Sequence, residues 1–160
     1  MSQLDTYWAE TGGACEHEIV LQSLVRTNKT TKSLAFWDAF VTEYSEEPLY
    51  TAVGSYDAMY QLKYGIEEAQ SFDSDDIVDV LEDLTPDNTL EGAGGNVAFT
   101  ASHDLYEGYD PVAGKIYSVT LFVQWQADGA KECVTSGGLV YPEFVVTAPI
   151  TFPSWGINDP

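Results

Sequence analysis

The chain has 160 residues, enough for one domain with a real core and too few for two ordinary ones. An apolar fraction of 44% with 13% aromatic residues excludes disorder, and no apolar run reaches membrane-spanning length. Six basic residues against 26 acidic ones give a net charge of −20, which leaves no cluster to neutralise phosphates; nucleic acid is not a partner, and anionic membrane surfaces are disfavoured.

Scarce lysine with abundant Asp and Glu suits work in high salt, where screening offsets self-repulsion, and fits an ordinary acidic protein equally well. Cys15 and Cys133 lie far apart; a disulfide and two buried thiols both remain open. The opening residues, Met1 to Asp5, show neither the charged nor the apolar region of a secretion signal.

In chain order, Glu18 to Val25 form an apolar run with strand character, followed by a polar segment from Arg26 to Thr31. Phe36, Trp37, Phe40, Val41 and Tyr44 then fall on one helical face, with Ser33 as its cap and Pro48 as its stop. A short extended piece at Leu49–Thr51 is expected to lead into a second helix opening at Gly54-Ser55. Its face is Tyr56, Met59, Leu62, Ile66 and Ala69. The acidic stretch Asp73-Ser74-Asp75-Asp76 suits the positive end of a third helix, closed by Pro86. Val97, Phe99 and Ala101 alternate as a short strand. Tyr117, Val119, Leu121, Val123 and Trp125 alternate over a longer one. Asp128-Gly129 turns it into a hairpin with Lys131–Thr135, and a tail from Tyr141 to Pro160 with four prolines is expected to run extended over the body. This order predicts a mixed α/β fold: three main helices packed on short strands, with a C-terminal β-hairpin and an extended tail.

Chemistry-bearing patterns are few. Cys15 and His17 would share one side of a strand, yet no third partner accompanies them; a structural thiol and a surface histidine are the simpler reading. His103-Asp104 sits in a turn-rich stretch that explains it as a loop hydrogen bond. The Asp73 stretch lacks the glycine and bidentate glutamate of a calcium loop, and no metal site is expected. Gly92-Ala93-Gly94-Gly95 precedes a strand rather than a helix, so it reads as a tight turn and not a phosphate cradle. Asn28-Lys29-Thr30 matches a glycosylation sequon, a three-residue signal. Tyr50, Thr51, Gly54, Ser55 and Tyr56 cluster where an extended segment enters a helix. Free N–H groups and hydroxyls there could hold a carboxylate, and a helix cap with core aromatics is the competing reading.

Several segments together resemble one family. They are Trp8-Ala9-Glu10-Thr11-Gly12-Gly13-Ala14-Cys15-Glu16, Arg26-Thr27-Asn28-Lys29-Thr30, Phe36-Trp37-Asp38-Ala39-Phe40, Tyr50-Thr51-Ala52, Ser55-Tyr56-Asp57-Ala58 and Phe122-Val123-Gln124-Trp125-Gln126. In this order they resemble the C-terminal portion of branched-chain amino acid/amide-type solute-binding proteins, which have the type I periplasmic binding fold. The resemblance implies an incomplete fold of that type, with residues 1–27 and 117–160 in one lobe and 28–110 in the other. It further implies an amino acid, amide or similar small solute as ligand, and no cofactor and no catalysis. An ABC importer permease and a missing N-terminal half of the same protein would be its partners. The full-length protein would then work outside the cytoplasm. Tyr50 or Thr51, with Gly54 and Ser55, would be ligand contacts, and Asp5 would hold a ligand amino group. The same fold also serves as a sensor domain of receptors and regulators. A small hydrolase using Cys15 and His17 is the reading from another class. A cleft with a single wall should bind weakly and expose apolar surface.

Overall fold

The computed structural model describes residues 2–138 and 140–154. Its elements run α1 (Thr6–Glu10), β1 (Ile19–Gln22), α2 (Ser33–Tyr44), α3 (Tyr50–Ala69) and α4 (Ser74–Glu82), then five short strands. These are β2 (Leu90–Glu91), β3 (Asn96–Val97), β4 (Tyr109–Asp110), β5 (Lys115–Ile116) and β6 (Leu121–Trp125), with β7 (Lys131–Cys133) following a 3-10 turn at Ala127–Gly129.

The main sheet is antiparallel in the order β1-β6-β7, so β1 is an edge. Val20 faces Val123 and Gln22 faces Leu121 across the first pair. At the start of β1 the N–H of His17 donates to the Trp125 carbonyl while the Trp125 N–H donates to that of Glu18. With His17 at φ 73, this is a bulge of the type that usually places glycine there. Two hydrophobic clusters result. One lies on the sheet and includes Val20, Val119, Leu121, Val123, Cys133 and Tyr141. The other joins Leu24 to α2 and α3 through Phe36, Trp37, Val53 and Ala93.

The three main helices stand where periodicity puts them, and their ends differ. Ser33 is the first helical residue of α2 rather than its cap. Its Oγ accepts from the Thr30 N–H and donates to the Ala93 carbonyl, so it is drawn into a tertiary contact instead. The extended piece at Leu49–Thr51 is absent. Only Leu49 is extended, and Tyr50 and Thr51 already form the first turn of α3. Asp73 caps α4 as its composition suggests, accepting from the Asp75 N–H at 2.9 Å. Gly65 allows α4 to approach α3, since a Cβ there would lie 2.8 Å from Ile77 Cγ2.

The strands are shorter than alternation suggests. Tyr117 and Val119 are buried like Leu121, Val123 and Trp125, but the ladder begins only at Leu121. Before it, the Ser118 backbone crosses to Tyr106 and Gly108 instead. The strand expected through Val97, Phe99 and Ala101 is cut to Asn96–Val97, which pairs with β2 around the glycine turn, and Phe99 makes one isolated bridge to Leu105. The β6–β7 hairpin forms. The tail includes a 3-10 turn at Glu143–Val145 and is anchored by the Thr147 N–H on the Cys133 carbonyl and by Thr151 on Gln124. The remainder of the expected tail, 155–160, lies outside the described residues.

Candidate functional site

Half of the polar segment after β1 is buried, contrary to its composition. Thr27, Lys29 and Thr30 expose 5%, 7% and 9% of their surfaces. Thr27 Oγ1 donates to the Val145 carbonyl and Lys29 Nζ to that of Ser23, and the residues from Thr30 on bond to the distant glycine turn. Thr30 Oγ1 donates to the Gly92 carbonyl at 2.6 Å, Ser33 Oγ to that of Ala93 at 2.7 Å, and Lys32 Nζ to that of Glu91 at 2.6 Å. From the other side, Asp57 of α3 accepts from the N–H groups of Ala93 at 2.7 Å and Gly94 at 2.8 Å. The turn therefore does hold an anion, and it is the protein's own carboxylate.

These contacts frame a half-open recess of about 170 Å³. Tyr50, Gly54 and Asp57 form one wall from α3; Gly95 and Asn96 form the floor; Ser118 and Lys29 come from the two segments that cross beside it. Lys29 runs into the recess, where its ammonium donates to the Ser23 carbonyl at 2.6 Å. Burial pushes its pKa from 10.5 down to about 8, a shift opposed by the acidic groups of Cys133 and Asp57 nearby. Burial pushes the Asp57 carboxyl upward, and the two N–H donors of the turn pull against that. Gly95 is required at the floor, because a Cβ there would sit 2.5 Å from the Tyr117 carbonyl oxygen.

Of the residues expected to contact ligand, Tyr50 and Gly54 share this recess. Ser55 faces a different groove, between α2 and α3, beside Phe36 and Phe40. Thr51 is exposed. The free N–H groups expected at Gly54 and Ser55 are not free. With α3 starting at Tyr50, both lie in its second turn, where the helix uses them internally. Asp5 does not join the others: it pairs with Lys131, which also reaches Glu47 at 3.2 Å, over the ring of Trp125. Lys29, Asp57, Asn96 and Ser118 are among the recess residues that sequence reasoning missed. A lysine inside a run of threonines, aligned with no helical or strand face, was the available signal.

Other motifs resolve into structural roles. Cys15 and Cys133 are both buried free thiols. Cys15 Sγ accepts from Thr11 Oγ1 at 3.3 Å, while His17 Nδ1 pairs with Thr151 Oγ1 at 2.9 Å, so the two do not act as a dyad. Burial raises the Cys133 pKa to about 11, which suppresses thiolate chemistry. Asp104 closes a loop with Thr100 and Ser102. Among the described residues no cluster of three metal-ligating side chains occurs.

No protein-family model matches the sequence, and no curated protein matches it. Among solved structures, a leucine binding protein, LivK, from Thermotoga maritima is similar, with a TM-score of 0.65 over 87% of this chain at 17% identity. The fold is that of a partial type I periplasmic binding protein. This chain spans 35% of the length of that leucine binding protein. At such identity the likeness speaks for the fold alone. Within a type I binding fold, the order of β1, the three helices and the β6–β7 hairpin follows the chain over most of its length.

Proposed function

We propose that this chain is part of a solute-binding protein that delivers an amino acid, amide or similar small solute to an ABC importer outside the cytoplasm. The carrying observation is the location of the recess. It lies between the sheet cluster and the α2–α3 cluster, and both segments that run between them, at Ser23–Lys29 and at Ser118, contribute to its wall. A type I binding fold with a polar recess at such a junction is suited to clamp a solute by hinge closure, in which contacts from both sides favour the closed state. The remaining wall would come from a further part of the protein, and with it the permease as partner.

Tyr50 and Gly54 are then ligand contacts, while Thr51 and Ser55 lie outside the recess and Asp5 serves structure through Lys131. At about 170 Å³ the recess is smaller than the roughly 300–1,000 Å³ of complete small-molecule pockets, so this chain alone should bind weakly. Nuclear magnetic resonance titration of the labelled chain with the common amino acids and their amides tests the reading. A subset of these should give saturable shifts at the amides of Val53, Gly54, Gly95, Asn96 and Ser118. A panel that produces no saturable shift at those positions would overturn it.

A further inference from the structure

Lys29 is the one ammonium in the recess, and its bonding is incomplete. An ammonium has three donors. Ser23 O takes one, and Lys29 makes neither a second hydrogen bond nor an ion pair among the described residues. Its residue is 7% exposed, so bulk water cannot replace the missing acceptors freely. The nearby acid acts on it only at a distance and forms no ion pair with it, since Asp57 is turned onto the Ala93 and Gly94 N–H groups. Tyr50 and Ser118, both exposed to solvent, line the same recess, and their hydroxyls make no hydrogen bond to another described residue. The wall thus offers a buried cation and two spare hydroxyl donors, in a protein whose net charge of −20 would otherwise repel anions.

We infer that this recess binds the carboxylate of an anionic or zwitterionic solute, with Lys29 Nζ as the charged donor and the hydroxyls of Tyr50 and Ser118 completing the oxygen contacts. The inference rests on the solute-binding reading and adds to it the chemical class and the docking point. Charge-assisted bonds of this kind are the stronger ones, and the burial of Lys29 strengthens its share of them. A neutral amide of equal size would lose the ionic contribution and keep only ordinary hydrogen bonds. The groups acting electrostatically on Lys29 from neighbouring elements are Asp57 on α3 and Cys133 on β7. Burial pushes the Asp57 carboxyl upward and the Cys133 thiol up to about 11, so the thiol stays uncharged through the Lys29 transition at about 8.

The probe is acetate, with acetamide as its neutral counterpart, titrated into the labelled full chain at constant ionic strength. Acetate should shift the amides of Gly95, Asn96 and Ser118 saturably below pH 8, and bind roughly tenfold or more weakly once Lys29 has lost its proton. Acetamide should bind at least roughly tenfold more weakly than acetate at the lower pH. Lys29→Met, verified as folded by circular dichroism, should abolish the acetate response. Equal responses to acetate and acetamide in the wild-type chain, or no pH dependence, would overturn the inference and leave Lys29 as a hydrated structural lysine. If amino acids bind at the recess but Lys29→Met leaves them unaffected, the carboxylate assignment falls and the solute-binding reading stands. If acetate binds as described and no amino acid or amide does, the reverse holds.

Discussion

Lys29 makes the residue scale measurable through its proton. An unfolded lysine titrates at 10.5, and in the folded chain burial brings Lys29 to about 8. Between those values the unfolded chain holds a proton that the folded chain has shed, so unfolding takes one up and stability rises with pH across that window. Below it both states are protonated, and the full cost of burying the charge, about 3 kcal/mol, is present. Lys29→Met removes that cost together with one hydrogen bond, so it should stabilise the protein by about 2 kcal/mol near neutral pH. Urea unfolding of both proteins from pH 7 to 11 should show the gap closing as pH climbs through the interval. A gap independent of pH would mean that Lys29 is not desolvated. Residues 26–31 offered only a faint sign of this, since a lysine among threonines reads first as a solvated turn. Its burial depends on Thr30 and Ser33 meeting the glycine turn, 62 and 60 residues away in sequence. Pattern reading within a window cannot see such pairs.

At the scale of elements, α3 and the glycine turn show two glycines with opposite demands. Gly54 lies within α3, and a Cβ there would meet nothing within 4 Å. Glycine in a helix interior costs up to about 1 kcal/mol relative to alanine. Gly54→Ala should therefore raise stability by about that amount. Gly95 combines a φ of 154° with a Cβ position 2.5 Å from the Tyr117 oxygen. Gly95→Ala should lower stability by about 2 kcal/mol or more, by displacing the segment before β6. Chemical denaturation of the two variants checks both signs, and a shift of both in the same direction would contradict the packing described. The helices themselves were legible because their apolar spacing spans whole turns, as Phe36, Trp37 and Phe40 do. Strands β2 to β5 were not, because each has two residues, too few for alternation to register. The start of α3 was misplaced because Tyr50 and Thr51 favour extended structure locally, while Leu49 alone supplies the extended residue before the helix.

For the whole molecule, the relevant feature is the open side of the main sheet. Because Trp125 bonds to Glu18, ladder alternation turns Val20 and Gln22 toward β6 and the backbone groups of Ile19 and Leu21 outward. The Leu21 carbonyl is accordingly taken by the Gln3 side chain at 2.7 Å. The N–H groups of Ile19 and Leu21 find no acceptor among the described residues, and their side chains are 44% and 55% exposed. An apolar edge of this kind is a template for another strand, and natural proteins usually blunt or cover it. Buried Gln22, whose amide has no hydrogen-bond partner among the described residues, lies on the same strand. The sequence reading expected a single-walled cleft to expose apolar surface, and Ile19 and Leu21 are such a surface. Hydrogen exchange on the chain alone gives the decisive comparison. The amides of Ile19 and Leu21 should exchange far faster than those of Val20 and Gln22, since only the latter pair is bonded into the ladder. Adding a polypeptide that supplies the other wall should slow Ile19 and Leu21 selectively. Equal, slow exchange at all four positions in the isolated chain would show that the edge is already covered, and a missing wall would no longer be needed to explain it.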